Sequence, residues 1–372
     1  SQDKRNQSDM FTVDIYDKNN RIISYKTSST KMNIPMSDFT YWSPENPHLY
    51  DLVIYAGEDI VKSYFGMRKI EVKEDESGIN RIFLNNKPYF QNGLLDQGYW
   101  PDGLYTPPSD EAMIFDIEEA KVLGFNMLRK HIKIEPLRWY YHCDRLGMLV
   151  WQDMVNGGEK YNNLLVGYLP TVFPGIFNKI KDNHYRLFGR GNEEGRNEWL
   201  RECEETVELL YNSPSIVAWV PFNEAWGQFD ANKVTSLIHS VDKTRLIDEA
   251  SGWYDQKGGN MMSIHNYFHP LKYRPDYSGS NRAVVLSEFG GYAHYVPEHS
   301  YSPFVYGYRV YMNKEDLEEG LQKLYKDIER LKKEGVSAVV YTQLSDIEDE
   351  VNGLFTYDRK VCKISKPISD IK

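Results

Sequence analysis

The sequence predicts an α/β chain in which a small all-β sandwich is followed by a (β/α)8 TIM barrel. Three observations carry that prediction. The N-terminal part reads as short alternating segments broken by Asn, Gly and Pro clusters. Three later segments share one design, an amphipathic helix stopped by Gly and followed at once by an apolar strand. Two further apolar runs, from Ser215 and from Arg282, each reach a glutamate, Glu224 and Glu288. The expected division is residues 1–72 for the sandwich and 73–372 for the barrel.

In the first part, Phe11 to Tyr16, Arg21 to Tyr25, Leu49 to Tyr55 and Ile60 to Phe65 alternate as strands do when one face is buried. Their number and spacing suit an immunoglobulin-like module. Ile79 to Phe90 reads as a hairpin turning at Asn85-Asn86, since Asn tolerates the left-handed backbone that such turns need.

The character then changes. Ser109 is placed as an N-cap before Met113, Ile117 and Ala120 at helical spacing, and Gly124 precedes a strand ending in Arg129-Lys130-His131. A second helix opens at Pro136 and closes at Gly147, ahead of a strand ending in Gln152-Asp153. The third runs from Lys314 to Gly335 and yields Val336 to Gln343. With a first strand near Tyr89 to Leu94, strands at Leu246 to Ala250 and Met262 to His265, and the two glutamate strands, the count is about eight, as a closed barrel requires. An open doubly wound sheet is disfavoured because no Gly-rich phosphate loop follows an early strand. Asn156 to Asn197 has no clear period and is rich in Gly, Tyr and Phe, which suits a wall or lid on the rim.

Composition limits the partners. A net charge of -10 argues against nucleic acid and against an anionic membrane surface, both of which are met by Lys and Arg. No apolar run approaches the ~18 residues of a membrane span. The three cysteines are odd in number and far apart, so neither a disulfide framework nor a C-x-x-C metal site is indicated. His265 and His269 lack the glutamate of an H-E-x-x-H helix, so no catalytic metal is expected. Tyr and Trp are abundant, and Trp100, Trp151 and Trp226 near the expected rim are candidate sugar platforms.

Two strand-end carboxyls are what glycoside hydrolysis needs, one to protonate the leaving oxygen and one to meet the developing oxocarbenium ion. Asp153, Asp248 and Glu249 also end strands and are read as supporting or structural groups. The motifs VPFNEAWG at 220–227 and SEFG at 287–290, together with SPENPHLY at 43–50 and FGMRK at 65–69, resemble glycoside hydrolase family 2. That family contains β-galactosidases, β-glucuronidases and β-mannosidases, and the resemblance covers nearly the whole chain.

What the resemblance implies is specific. Glu224 is the acid/base, Glu288 the nucleophile, and Asn223 the partner of the sugar 2-hydroxyl. His131 contacts substrate, while Arg129 and Tyr267 hold the nucleophile ionised. The charge on Glu288 is expected to keep Glu224 protonated. Trp226, from its place near the rim, is counted with the substrate-binding residues, and Tyr341 stands where many members end the eighth strand with Trp. The function implied is a retaining, exo-acting β-glycosidase, β-galactosidase-like first, with β-glucuronidase as the alternative within the family. A catalytically silent carbohydrate-binding barrel is the alternative of another class.

No Asn-x-Lys pair resembling the carboxylate clamp of the family's glucuronidases follows Glu348 to Phe355, so the resemblance implies that uronic acids are disfavoured. No cofactor is implied, the partner is a glycoside or oligosaccharide, a homo-oligomer is left open, and a periplasmic or extracellular location is favoured over a cytoplasmic one. Family members carry a jelly-roll sugar-binding domain ahead of the sandwich. None precedes Phe11 here, so a fragment of a longer chain is expected.

Overall fold

The structure is a computed structural model that describes residues 10–177, 179–272, 280–365 and 367–368. Strands β1 (Phe11–Asp17), β2 (Asn20–Thr27), β3 (Tyr50–Ala56) and β4 (Asp59–Phe65) form one antiparallel sheet in the order β2-β1-β3-β4. This is the all-β N-terminal domain, present among the described residues as a single four-stranded sheet. It is tied to the rest by Trp42, fully buried, whose Nε1 donates to Asp144 O at 2.7 Å. Arg68 adds bonds to the carbonyls of Pro214, Thr244 and Ile216.

Next come β5 (Ile70–Glu74), β6 (Asn80–Leu84) and β7 (Lys87–Pro88), a small antiparallel sheet. The boundary expected at 72 falls inside β5. The turn between β6 and β7 is Asn85-Asn86 with φ of 51° and 67°, the left-handed pair that the sequence indicated.

The barrel follows. Its strands are β8 (Gln91–Asp96), β9 (Met127–Lys130), β10 (Leu149–Asp153), β11 (Ile216–Val220), β12 (Leu246–Ile247), β13 (Met261–Asn266), β14 (Ala283–Gly290) and, after two short strands β15 (Tyr292–His294) and β16 (Arg309–Tyr311), β17 (Val336–Thr342). All eight are parallel, in the order β12-β11-β10-β9-β8-β17-β14-β13. The seam between β12 and β13 is closed by Asn260, which exchanges two hydrogen bonds with the Ile247 backbone at 2.8 and 2.9 Å.

Helices α1 (Asp110–Val122), α2 (Leu137–Leu146), the short α3 (Leu169–Val172) and α4 (Pro174–Phe177), α5 (Glu193–Leu210), α6 (Ala231–Val241) and α7 (Lys314–Glu334) surround it. The cap at Ser109, the stop at Gly147 (φ 74°) and the stop at Gly335 are as expected. No helix among the described residues is long and apolar enough to cross a membrane.

Alternation along the strands divides the core in two. Leu95, Met127, Leu149, Trp151, Ala218, Val285 and Val340 fill the barrel interior, while Leu94, Leu128, Val150, Trp219, Leu286 and Val339 face the helices. Each Val, Leu or Met among them contributes on the order of 1.5–3 kcal/mol by leaving water. The apolar interior stops short of the C-terminal ends of the strands, where Arg129, Asp153, Ser263, Ser287 and Thr342 form a buried polar layer. That layer is the floor of the site.

The segment from Asn156 is a folded wall. A turn of π-helix (Leu164–Tyr168), α4 and the turn at 185–189 place Val166, Phe177 and Phe188 against Ala225, Trp253 and Tyr254 in a third apolar cluster. The wall is shorter than expected, because α5 starts at Glu193, capped by Asn192, whose side chain accepts from Gly195 N at 3.1 Å.

Candidate active site

β11 ends sooner than its apolar run suggests. Pro221 has no N–H to extend the ladder, so pairing stops at Val220. Asn223 then forms an isolated bridge with Ser251, and Glu224 and Ala225 take left-handed φ of 49° and 61°. Non-glycine residues held there cost of the order of 1 kcal/mol or more, and the Glu224 N–H bond to Ser251 O at 2.8 Å helps to hold the turn. The strained turn aims Glu224 into the barrel mouth.

Glu288 arrives by a different device. Along β14, Ala283 and Val285 face the interior, so strict alternation would send Glu288 to the helix layer. A register irregularity intervenes. Leu286 pairs with Val339 but Phe289 with Tyr341, which leaves one extra residue on β14. Ser287 and Glu288 therefore both reach the polar layer, and Phe289 resumes the outward face.

Arg129 of β9 binds the pieces together. Its guanidinium grips Asp153 through Nε and Nη2, each at 3.0 Å, reaches Glu288 Oε1 at 3.1 Å through Nη1, and donates from Nη2 to Asn223 Oδ1 at 2.9 Å. Burial works against the charge on Arg129, but Asp153 and Glu288 outweigh it and raise its pKa. Burial likewise pushes the Asp153 carboxyl up, and Arg129 and His131 reverse this and hold it low. Because the Asn223 oxygen is taken by Arg129, its amide N–H groups are left for a ligand. His131 Nδ1 meets Asp153 Oδ2 at 2.8 Å, which leaves Nε2 toward the pocket.

Tyr267, on the far side of Glu288, donates to its Oε2 and contacts Thr342 Oγ1 at 3.0 Å. Its ring stacks on Tyr308 with centroids 3.7 Å apart and planes at 7°. His265 stands between the two glutamates. Its Nδ1 is 2.8 Å from Glu224 Oε1 and 3.5 Å from Glu288 Oε2, and its Nε2 is 2.9 Å from Ser251 Oγ.

One donor atom from each of Glu224, His265 and Glu288 lies within 4.8 Å of the others, and among the described residues this is the group that could hold a metal ion. Burial raises the Glu224 carboxyl from 4.5 to about 7, with His131 and Arg129 pulling the other way. Burial, rather than the charge of Glu288 that the sequence suggested, is the leading cause. Burial also lowers His265 to about 4, so its imidazole is neutral near pH 7.

The structure thus brings Glu224, Glu288, Asn223, His131, Arg129 and Tyr267 together. Trp226 lies half-buried against the wall cluster beside Glu224. Tyr341 is not at the site. One residue before the inward-facing Thr342, it points to the helix layer, edge-on to Phe289 and 1 % exposed. Trp151 fills the barrel interior with its Nε1 on Gln91, and Trp100 is covered by the Arg359 guanidinium at 4.0 Å, so neither is a platform.

Asp248 and Glu249 serve the scaffold through Ser263 and Gly258 N. Not anticipated were Thr342, Tyr308 and a third carboxylate, Glu350, whose Oε2 accepts from Gln97 and Gln343 at 3.3 and 3.0 Å. In sequence, Glu350 belongs to an acidic run, Glu348-Asp-Glu350, that reads as a solvated loop.

A parallel barrel that gathers two carboxyls from opposite walls into one polar mouth has the layout of a sugar-cleaving barrel protein. The comparisons are more specific. The description "Glycosyl hydrolases family 2, TIM barrel domain" matches residues 80–272, and "Glycosyl hydrolases family 2" matches 2–68. The chain belongs to glycosyl hydrolases family 2.

It is 24 % identical over 263 residues to a β-galactosidase of Leuconostoc mesenteroides, a match covering 66 % of this chain and 22 % of that protein. It is 23 % identical over 254 residues to a putative β-glucuronidase of Formosa agariphila, covering 65 % and 22 %. A β-D-glucuronidase structure from Dictyoglomus thermophilum superposes with a TM-score of 0.70 at 17 % identity, over 97 % of this chain and 63 % of that one, a likeness of fold. The chain therefore spans about a fifth of the length of these two curated relatives.

Proposed function

We propose that this chain carries the site of a retaining, exo-acting β-glycosidase that takes terminal β-galactosides or closely related neutral β-hexosides. The observation that supports it most is the meeting of Glu224 and Glu288 across His265, with donor atoms within 4.8 Å. Retaining enzymes keep their carboxyls about 5–5.5 Å apart, whereas inverting ones leave about 6.5–9.5 Å for a water.

In the first step Glu288, steadied by Arg129 and Tyr267, attacks the anomeric carbon while protonated Glu224 gives its proton to the leaving oxygen. Asn223 donates to the 2-hydroxyl, a contact that strengthens as positive charge develops. In the second step Glu224, now a carboxylate, takes a proton from water, which cleaves the glycosyl ester and returns Glu288. Side chains carry every step.

The test is turnover of a panel of aryl β-glycosides with the anomer of the first product read by NMR. Retention is expected, with Glu288→Gln lowering kcat by at least ~1,000-fold. Inversion overturns the roles. Saturable sugar binding with no turnover, unchanged in Glu288→Gln, would instead favour a silent sugar-binding barrel.

A further inference from the structure

Glu350 is a built feature of the pocket that the two-step mechanism does not use. Gln97 lies one residue beyond β8 and Gln343 one residue beyond β17, and these strands are neighbours in the barrel. Gln97 Nε2 donates to Gln343 Oε1 at 2.9 Å as well as to Glu350, and Gln343 Nε2 donates to Asn352 Oδ1 at 2.8 Å as well as to Glu350. The loop that carries Glu350 is fastened by backbone bonds between Tyr306 and residues 349 and 351, at 2.8 and 3.1 Å.

Both amides converge on Oε2. Oε1 accepts nothing among the described residues and is not sealed from solvent, so it is free to accept from a ligand. The donors are neutral, so the carboxylate keeps its charge uncompensated by them. Burial raises its pKa, His131 lowers it, and Glu288 is close enough to raise it again.

Sheet order says which part of a sugar Glu350 would meet. In the order β12-β11-β10-β9-β8-β17-β14-β13, β17 is four strands from β11 in either direction around the closed barrel. Asn223 and Glu224 follow β11, so they mark the 2-hydroxyl and the leaving group. Glu350, above β17 and β8 and between Glu288 and His131, faces the opposite end of the ring.

We propose that Glu350 sets substrate class: its open oxygen accepts hydrogen bonds from the hydroxyls at the far end of a neutral terminal hexose and rejects a sugar bearing a carboxylate there. This rests on the glycosidase reading and deepens it. A carboxylate accepts only, so it suits hydroxyl donors, whereas a uronate in the same place would set two anions side by side.

The experiment compares wild type with Glu350→Gln, which keeps shape and removes charge, on aryl β-galactoside, β-glucoside, β-glucuronide and β-galacturonide. Wild type should favour the better neutral sugar by at least ~100-fold in kcat/KM. Glu350→Gln should narrow that preference at least tenfold, by lowering KM for the uronides and raising it for the neutral sugars, a change of ratio that a purely structural role would not give. Equal turnover of neutral and acidic sugars by wild type, or a ratio untouched by Glu350→Gln, overturns the proposal.

Calorimetric binding of a neutral aldonolactone and of glucarolactone to both folded proteins decides the matter without turnover. Tighter neutral binding by wild type, narrowed in Glu350→Gln, upholds the role even if catalysis fails. Tighter binding of the acidic lactone by wild type rejects it. Absence of turnover on the whole panel counts against the glycosidase reading alone.

Discussion

Glu224→Gln tests one physical claim, the burial of the acid, through two unrelated readouts. Folding lifts the Glu224 carboxyl from 4.5 to about 7, and its side chain is 16 % exposed, so solvent screens little of the effect. At ~1.4 kcal/mol for each factor of ten, ionising Glu224 in the folded protein costs at most about 3 kcal/mol. The folded value lies above the unfolded one. The stability that goes with it is therefore fully present below pH 4.5 and is lost as the pH rises through about 7.

Glutamine does not titrate. Relative to wild type, Glu224→Gln should thus gain up to about 3 kcal/mol between pH 4 and pH 8 in urea denaturation, and the sign of the change is fixed whatever offset the substitution adds at pH 4. In the proposed mechanism the same proton governs catalysis. A group titrating near 7 is ~90 % protonated at pH 6 and ~10 % at pH 8, so kcat/KM for an aryl glycoside with a poor leaving group should fall about tenfold across that interval. A dinitrophenyl glycoside, whose leaving group needs no proton, should lose that limb. A stability difference that does not change with pH, or an alkaline limb shared by both substrates, would refute the reasoning.

Five further outcomes follow from the geometry. Arg129→Lys keeps a charge but cannot bridge Asp153, Asn223 and Glu288 at once, so kcat/KM should fall by at least ~100-fold, while Arg129→Met, which strands two buried carboxylates, should cost about 3–5 kcal/mol in denaturant titrations. Tyr341→Phe should leave KM unchanged and cost about 1 kcal/mol, the bond from Tyr292 N at 3.2 Å, whereas Tyr308→Ala, which removes the ring stacked on Tyr267, should raise KM about tenfold; an effect of Tyr341→Phe on KM would put its ring back in the pocket. Gly290→Ala places a Cβ 2.4 Å from the Tyr341 ring at φ 84°, so thermal melting should show a loss of at least ~2 kcal/mol.

Much of the fold was legible because period and punctuation agreed. Where an apolar stripe met a cap and a glycine, as from Ser109 to Gly124 or Lys314 to Gly335, the helix stands where expected. α5 was not assigned because its apolar stripe, Trp199, Cys203, Val207 and Leu210, begins only after a polar first turn that merges with the loop before it. The wall itself has no period because it buries a third cluster, Val166, Phe177 and Phe188, from separate turns rather than from one face.

The site shows a sharper limit. Its glutamates were found because each follows a buried run, yet neither lies at a strand end: Glu224 sits in a left-handed turn beyond Pro221, and Glu288 lies within β14. What turns Glu288 inward is one extra residue, visible only in how β14 pairs with its two neighbours, β17 and β13. Period-two reasoning cannot see a bulge, since a bulge is a property of two strands and not of one. The error over Tyr341 has the same origin in reverse. From Ala338 its strand alternates regularly to Thr342, so a ring expected from motif analogy to floor the pocket is sent by parity into the helix layer, and it is Thr342 that reaches Tyr267 beside Glu288.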